Sequence, residues 1–156
     1  MKNNILTLFK CIIVPLTVGV LAAFLTRGGM ESFKMINKPV LTPPGWVFPV
    51  VWTILYVLMG IASYLVLTSG GSRPCKREAL VVYGIQLAVN FFWPILFFNL
   101  ELYLFAFLWL ALLWFLILAC ILLFGRLSVK ASRLMIPYLI WVTFAGYLNF
   151  SIYLLN

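Results

Sequence analysis

Histidine is absent from this chain of 156 residues. Its absence removes the commonest metal ligand and the usual proton carrier near neutral pH. Acid is scarce as well, with three carboxylates against eleven Lys and Arg. Charged residues make up 9% of the chain, where a soluble domain averages about a quarter. The three cysteines, Cys11, Cys75 and Cys120, have no metal or redox spacing. Cys11 and Cys120 lie in apolar runs, which reads as buried thiols rather than a disulfide. Neither a Ser/His/Asp set, nor a glycine-rich phosphate loop, nor a metal cluster occurs, so no cofactor and no metal are expected. A net charge of +8 raises the question of nucleic acid. A basic excess on membrane loops explains it better, and no nucleic-acid partner is expected.

What the chain does have is apolar length. Apolar residues make up 65% of it, and a bilayer core of roughly 30 Å needs about 20 of them in helix. Five stretches qualify: 5–26, 45–68, 79–100, 102–124 and 134–155. Lys10 alone interrupts the first and can snorkel from near its end. A cleaved signal peptide is the alternative for this stretch, but no small-x-small pattern follows it. Spans two to five hold no charged residue, so the intramembrane ionisable groups of pumps and proton-coupled carriers are lacking. No ten-residue alternation points to a β-barrel. The expected fold is a single all-α domain, 1–156, an integral membrane bundle of five transmembrane helices. Five spans cannot make the two matched halves of an inverted-repeat transporter.

The connections orient the bundle. Residues 27–44 form the only long loop, 69–78 a polar link, and 125–133 a basic one. Spans three and four meet around Asn99 and Glu101 with almost no loop, which makes them antiparallel neighbours. The N-terminus and the two links hold Lys2, Lys10, Arg73, Lys76, Arg77, Arg126, Lys130 and Arg133. The opposite face holds Arg27, Lys34 and Lys38. The positive-inside rule then puts the N-terminus in the cytoplasm and the long loop and C-terminus outside.

Without charges, chemistry falls to amides and rings. Pro39, Pro43 and Pro44 stiffen the loop, Gly45 turns it, and Trp46, Phe48, Pro49, Trp52 and Tyr56 open the second span. Gln86, Asn90 and Trp93 share one face of the third span, and Trp141, Ala145 and Asn149 one face of the fifth. Buried amides in lipid need partners and so face inward. They either glue helices together or orient a ligand. At about 1.5 Å per residue, Trp52 lies roughly 10 Å and Tyr56 about 15 Å below the loop end. The same count puts Trp141 lower, as a floor. Interfacial-belt positions account for Trp46 and, less clearly, Trp109 and Trp114. A charge-free, ring-lined pocket under loop 27–44 suits a large, flat, apolar ligand such as a sterol, tetrapyrrole or polycyclic drug.

These residues carry a resemblance. Pro43-Pro44-Gly45-Trp46-Val47-Phe48-Pro49 with Trp52-Thr53-Ile54-Leu55-Tyr56 and Met59-Gly60 resembles the second-helix signature of the TspO/MBR family, the tryptophan-rich sensory and translocator proteins. Gln86-Leu87-Ala88-Val89-Asn90 with Trp93 and Phe97-Phe98 resembles its third-helix motif. Pro137-Tyr138-Leu139-Ile140-Trp141 with Ala145 and Leu148-Asn149 resembles its fifth. The likeness covers nearly the whole chain.

It implies a bacterial plasma-membrane protein. The family's pocket binds porphyrins, with haem a further candidate, and isoquinoline-carboxamide or benzodiazepine drugs. Here the resemblance would line that pocket with Pro44, Trp52, Tyr56, Asn90, Trp93, Trp141, Ala145 and Leu148. It also implies homodimers through the third helix, where Gly84 and Ala88 form a small-xxx-small pair. Gly19 and Ala23 make the same pattern in the first span. The reading is a non-catalytic receptor, sensor or carrier. Light-dependent porphyrin breakdown by Trp52 and Trp141 is the enzyme alternative, and a ligand-free structural subunit the third. Ser32-Phe33 stands where the family usually carries Trp-Tyr, and Leu41-Thr42 where a further aromatic often precedes Pro-Pro, so the loop is a less aromatic lid. The sterol pattern after Tyr153 lacks its basic end, and no specific cholesterol site is expected.

Overall fold

A computed structural model describes residues 2–156, with side chains from Asn4 onward. The side chain of Lys2, counted above with the basic face, lies outside the described residues. Five long helices cross in succession: α1 (Lys2–Leu25), α3 (Val47–Leu67), α4 (Arg73–Pro94), α5 (Tyr103–Gly125) and α6 (Val129–Leu155). All five are long and apolar enough to span a bilayer. A lipid core leaves backbone N–H and C=O groups no outside partner, and helices satisfy them internally. The helices close into a ring in the order α1, α3, α6, α5, α4 and back to α1.

Two helix starts differ most from the expected spans. Helix α4 begins at Arg73, six residues before the apolar run, because Ser72 is extended and Pro74 sits in the first turn, where its missing N–H costs nothing. Likewise, α6 begins at Val129, where the Ser128 hydroxyl accepts the Ala131 N–H at 3.3 Å. Hydropathy marks where lipid begins, not where hydrogen bonding begins, so the links shrink to 68–72 and 126–128. The long loop, in turn, contains a short helix, α2 (Gly29–Met35).

The end that carries this loop is braced. Past Pro94 the backbone widens into a π-turn, Ile95–Asn99, and Glu101 takes a left-handed φ of 51° to reverse into α5. Asn99 donates to the Leu25 carbonyl at 2.9 Å. Phe33 of α2 packs on Phe97 and Phe98, with ring centroids 5.8 and 5.2 Å away. The Asn37 backbone N–H donates to the Asn156 side-chain oxygen, and the Asn156 amide returns a bond to the Asn37 carbonyl, each at 3.0 Å. Segment 27–44 is thus tied to the ends of α4 and α6 by one ring and one amide pair.

Candidate functional site

Tyr56, Asn90 and Tyr138 meet where α3, α4 and α6 converge. The Tyr56 hydroxyl donates to Asn90 Oδ1 at 2.7 Å. Asn90 Nδ2 donates to the Tyr138 hydroxyl at 2.7 Å, which donates to Gln86 Oε1 at 2.9 Å. Gln86 Nε2 ends the chain 3.8 Å from the Met59 sulfur. Gln86 and Tyr138 are fully buried. A second link lies toward the loop end. Trp93 Nε1 donates to Asn149 Oδ1 at 3.1 Å, and Asn149 Nδ2 to the Tyr103 carbonyl at 2.7 Å. All three amides therefore bond across helices.

Aromatic rings fill the space beside this network. Trp52 stacks on Tyr56 at 5.6 Å, stands edge-on to Tyr138 at 6.1 Å, and lies 6.5 Å from Trp93. Trp93 stacks on Phe97 at 5.4 Å. The i, i+4 spacing that put Trp52 and Tyr56 on one face is what stacks them. Gly19 of α1 supplies the back wall, since a Cβ there would overlap the Tyr56 ring. Gly19 is thus a packing glycine of the bundle.

Trp141 is not a floor. It packs on Phe48 in the first turn of α3, ring centroids 5.9 Å apart. Depth counting assumed that α3 and α6 end level, but α6 runs on past the start of α3 to Leu155. Trp141 therefore stands at the mouth of α3. Its indole Nε1 is buried with no hydrogen-bond partner. Ala145 and Leu148 are buried further along α6. Pro44 is exposed and caps α3 through its carbonyl, which accepts the Val47 N–H at 3.0 Å. Of the expected residues, Trp52, Tyr56, Asn90 and Trp93 form one contact group. Trp141 extends the wall through Phe48, and Pro44 stands at the rim.

Tyr138 is the residue that the sequence reading left out of the site, although it is the hub. Its signal was present: Tyr138, Trp141, Ala145 and Leu148 fall at i, i+3, i+7 and i+10, one helical stripe. Gly84 and Ala88 face outward from α4, and nothing lies within 4 Å of where a Gly84 Cβ would stand. Cys120 is buried and Cys11 half-buried, as their apolar runs predicted, whereas Cys75 is exposed.

Known proteins resemble this chain along its whole length. The sequence profile of the TspO/MBR family matches residues 11–155. A tryptophan-rich protein TspO from Chlorobaculum tepidum is 40% identical, with 100% of this chain and 99% of that protein aligned. A tryptophan-rich sensory protein from Cereibacter sphaeroides is 39% identical over 81% of this chain and 77% of its own length. The translocator protein of Bos taurus is 34% identical over 90% of this chain and 85% of its own. Five apolar helices, a ring cluster built from the three motif stripes and this match together make the chain a multi-pass membrane protein of the TspO/MBR family.

Proposed function

We propose that the protein is a non-catalytic membrane receptor, sensor or carrier. Its ligand would be a flat apolar molecule of the tetrapyrrole or isoquinoline-carboxamide and benzodiazepine class, held beneath segment 27–44. The observation that carries this reading is the Trp141 Nε1–H, a buried donor with no partner beside the Phe48 and Trp52 wall. Burying an unpaired donor costs about 1–3 kcal/mol, which a ligand acceptor would recover. The names of the relatives, sensory and translocator proteins, point the same way. The Trp52 ring touches those of Tyr56 and Tyr138, so a macrocycle enters by parting Trp52 from its neighbours. The amide chain beneath them then serves as a base that keeps α3, α4 and α6 together. The excess of basic residues at that end, Arg126 on its link with Arg73, Lys76 and Arg77 at the start of α4 and Lys130 and Arg133 at the start of α6, supports a cytoplasmic placement for it. The outward Gly84 and Ala88 suit close approach of a second copy.

Titration of the purified protein with protoporphyrin, read by tryptophan fluorescence, tests the ligand. Saturable quenching is expected, weakened at least about tenfold in Trp52→Phe, where stacking area is lost, and in Trp141→Phe. Quenching that neither substitution alters overturns the site. Illumination separates binding from catalysis. Porphyrin bleaching that the Trp52→Phe/Trp141→Phe variant abolishes would make the protein an enzyme instead.

A further inference from the structure

The outward face of helix α4 that carries Gly84 and Ala88 runs on to the start of the helix, where it turns basic. At its start Arg73 and Arg77 stand one turn apart, and Val81 and Ile85 continue the same stripe into the apolar span at about half exposure. Arg73, Pro74, Arg77, Glu78, Val81 and Val82 line an open groove of about 600 Å³. Among the described residues the one ion pair is Lys34 with Glu31, at the other end of the molecule. Arg73, Arg77 and Glu78 therefore keep their charges free toward the groove. Two guanidiniums and one carboxylate leave it one net positive charge.

We infer that this groove holds one anionic phospholipid. Its phosphodiester would lie between Arg73 and Arg77, and one acyl chain would run along Val81 and Ile85. Charge complementarity selects the occupant. A single phosphodiester cancels the net charge of the groove, and paired guanidinium forks bind phosphate oxygens at two points. The boundary falls at the right height, because the charged turns of α4 end at Glu78 and its uninterrupted apolar run begins at Ala79. An arginine pair at that level reaches headgroups while the helix face below it meets tails. The charge of Glu78 opposes a second anion, so the site takes one lipid with one formal charge. Of the other described cations at this end, Lys76 donates to the Leu67 carbonyl at 3.1 Å, Lys10 stands on α1, and Arg126, Lys130 and Arg133 lie on the α5–α6 link and α6; none of them lines the groove.

Native mass spectrometry of the full chain, released from detergent with tail-matched phosphatidylglycerol or phosphatidylcholine, tests this. One phosphatidylglycerol retained per chain, in preference to phosphatidylcholine, is expected. In R73Q/R77Q the preference should fall by roughly tenfold or more, since each cation near a headgroup counts substantially. R126Q/R133Q removes the same charge from the same end and should change it less than about twofold. E78Q should strengthen it. An equal loss in both double variants, or equal retention of the two lipids, overturns the site in favour of unspecific surface charge. A lipid-free dimer overturns it in favour of a second copy on this face.

Discussion

The two ends of the bundle are held together in different ways. At the loop end, α3, α4 and α6 are joined by side chains that reach across: Tyr56 to Asn90, Asn90 to Tyr138, Tyr138 to Gln86, and Trp93 to Asn149. Toward the basic end, small and aliphatic residues such as Ala62, Val66, Ala79, Ala131 and Met135 are fully buried against one another. There the backbones close in. Gly60 lets α3 approach the Ile12 Cα and the Cys11 carbonyl, and Gly71 leaves room for Leu127. In lipid no hydrophobic force draws helices together, so close packing and interhelical hydrogen bonds must do it. The protein uses one means at each end. Close backbone packing has a single solution. A ring cluster resting on a hydrogen-bonded base can part above the base, and the candidate ligand site lies there.

The largest test of that contrast is Gly60→Val. A Cβ at residue 60 would stand 2.5 Å from the Ile12 Cα and 2.8 Å from the Cys11 carbonyl oxygen, and neither is a flexible side chain. Thermal unfolding in detergent should register a loss of about 3 kcal/mol or more. A loss under about 1 kcal/mol would mean that the basic end is as adaptable as the loop end.

Next comes a pair of hydroxyl deletions. Tyr138→Phe strands the Gln86 Oε1 acceptor and the Asn90 Nδ2–H donor in the core, and should cost roughly 1–3 kcal/mol. Tyr83→Phe should be neutral or stabilising. The Tyr83 hydroxyl is buried without a partner, and neighbouring Ser63 directs its own hydroxyl to the Gly60 carbonyl at 2.9 Å. Equal losses from the two would dissolve the distinction between the ends.

Trp93→Phe sharpens the comparison within the loop end. It keeps a ring beside Phe97 but removes the bond to Asn149, and a loss of about 0.6 kcal/mol is expected, the usual worth of such a bond in a membrane bundle. Smallest of all is Gly84→Ala, on the open face of α4. With no atom near the added methyl, stability in monodisperse detergent should hold or rise by up to about 1 kcal/mol from helix propensity. A fall would show that another chain covers this face.

Much of the site was legible because helical spacing is strict. Trp52 with Tyr56, and Gln86 with Asn90 and Trp93, each had to share a face whatever the rest of the chain did. Tyr138, though part of the fifth-helix motif and on the stripe of Trp141, was not placed in the pocket, because a tyrosine among apolar residues carries no polar signature as plain as an amide. The level of Trp141 was misjudged for another reason. Depth counted along one helix says nothing about where its neighbour starts, and α6 overshoots α3. Likewise Phe33, one ring in a segment poor in them, holds segment 27–44 in place because α2 sets it against Phe97 and Phe98.

Composition and periodicity by themselves determined that the chain spans a membrane as five helices. In lipid every backbone group must find its partner inside the protein, and without the alternating strands of a barrel only helical runs can satisfy that. They also determined which face of each span carries the amides, since 3.6-residue geometry is local. Tertiary structure decided what the amides do. Their partners come from helices 27 to 56 residues apart in sequence, and no local rule chooses among them. It left the Trp141 N–H alone without a partner in that wall, and it separated Gly19, pressed against Tyr56, from Gly84, open to the outside, although both sit in the same small-xxx-small pattern.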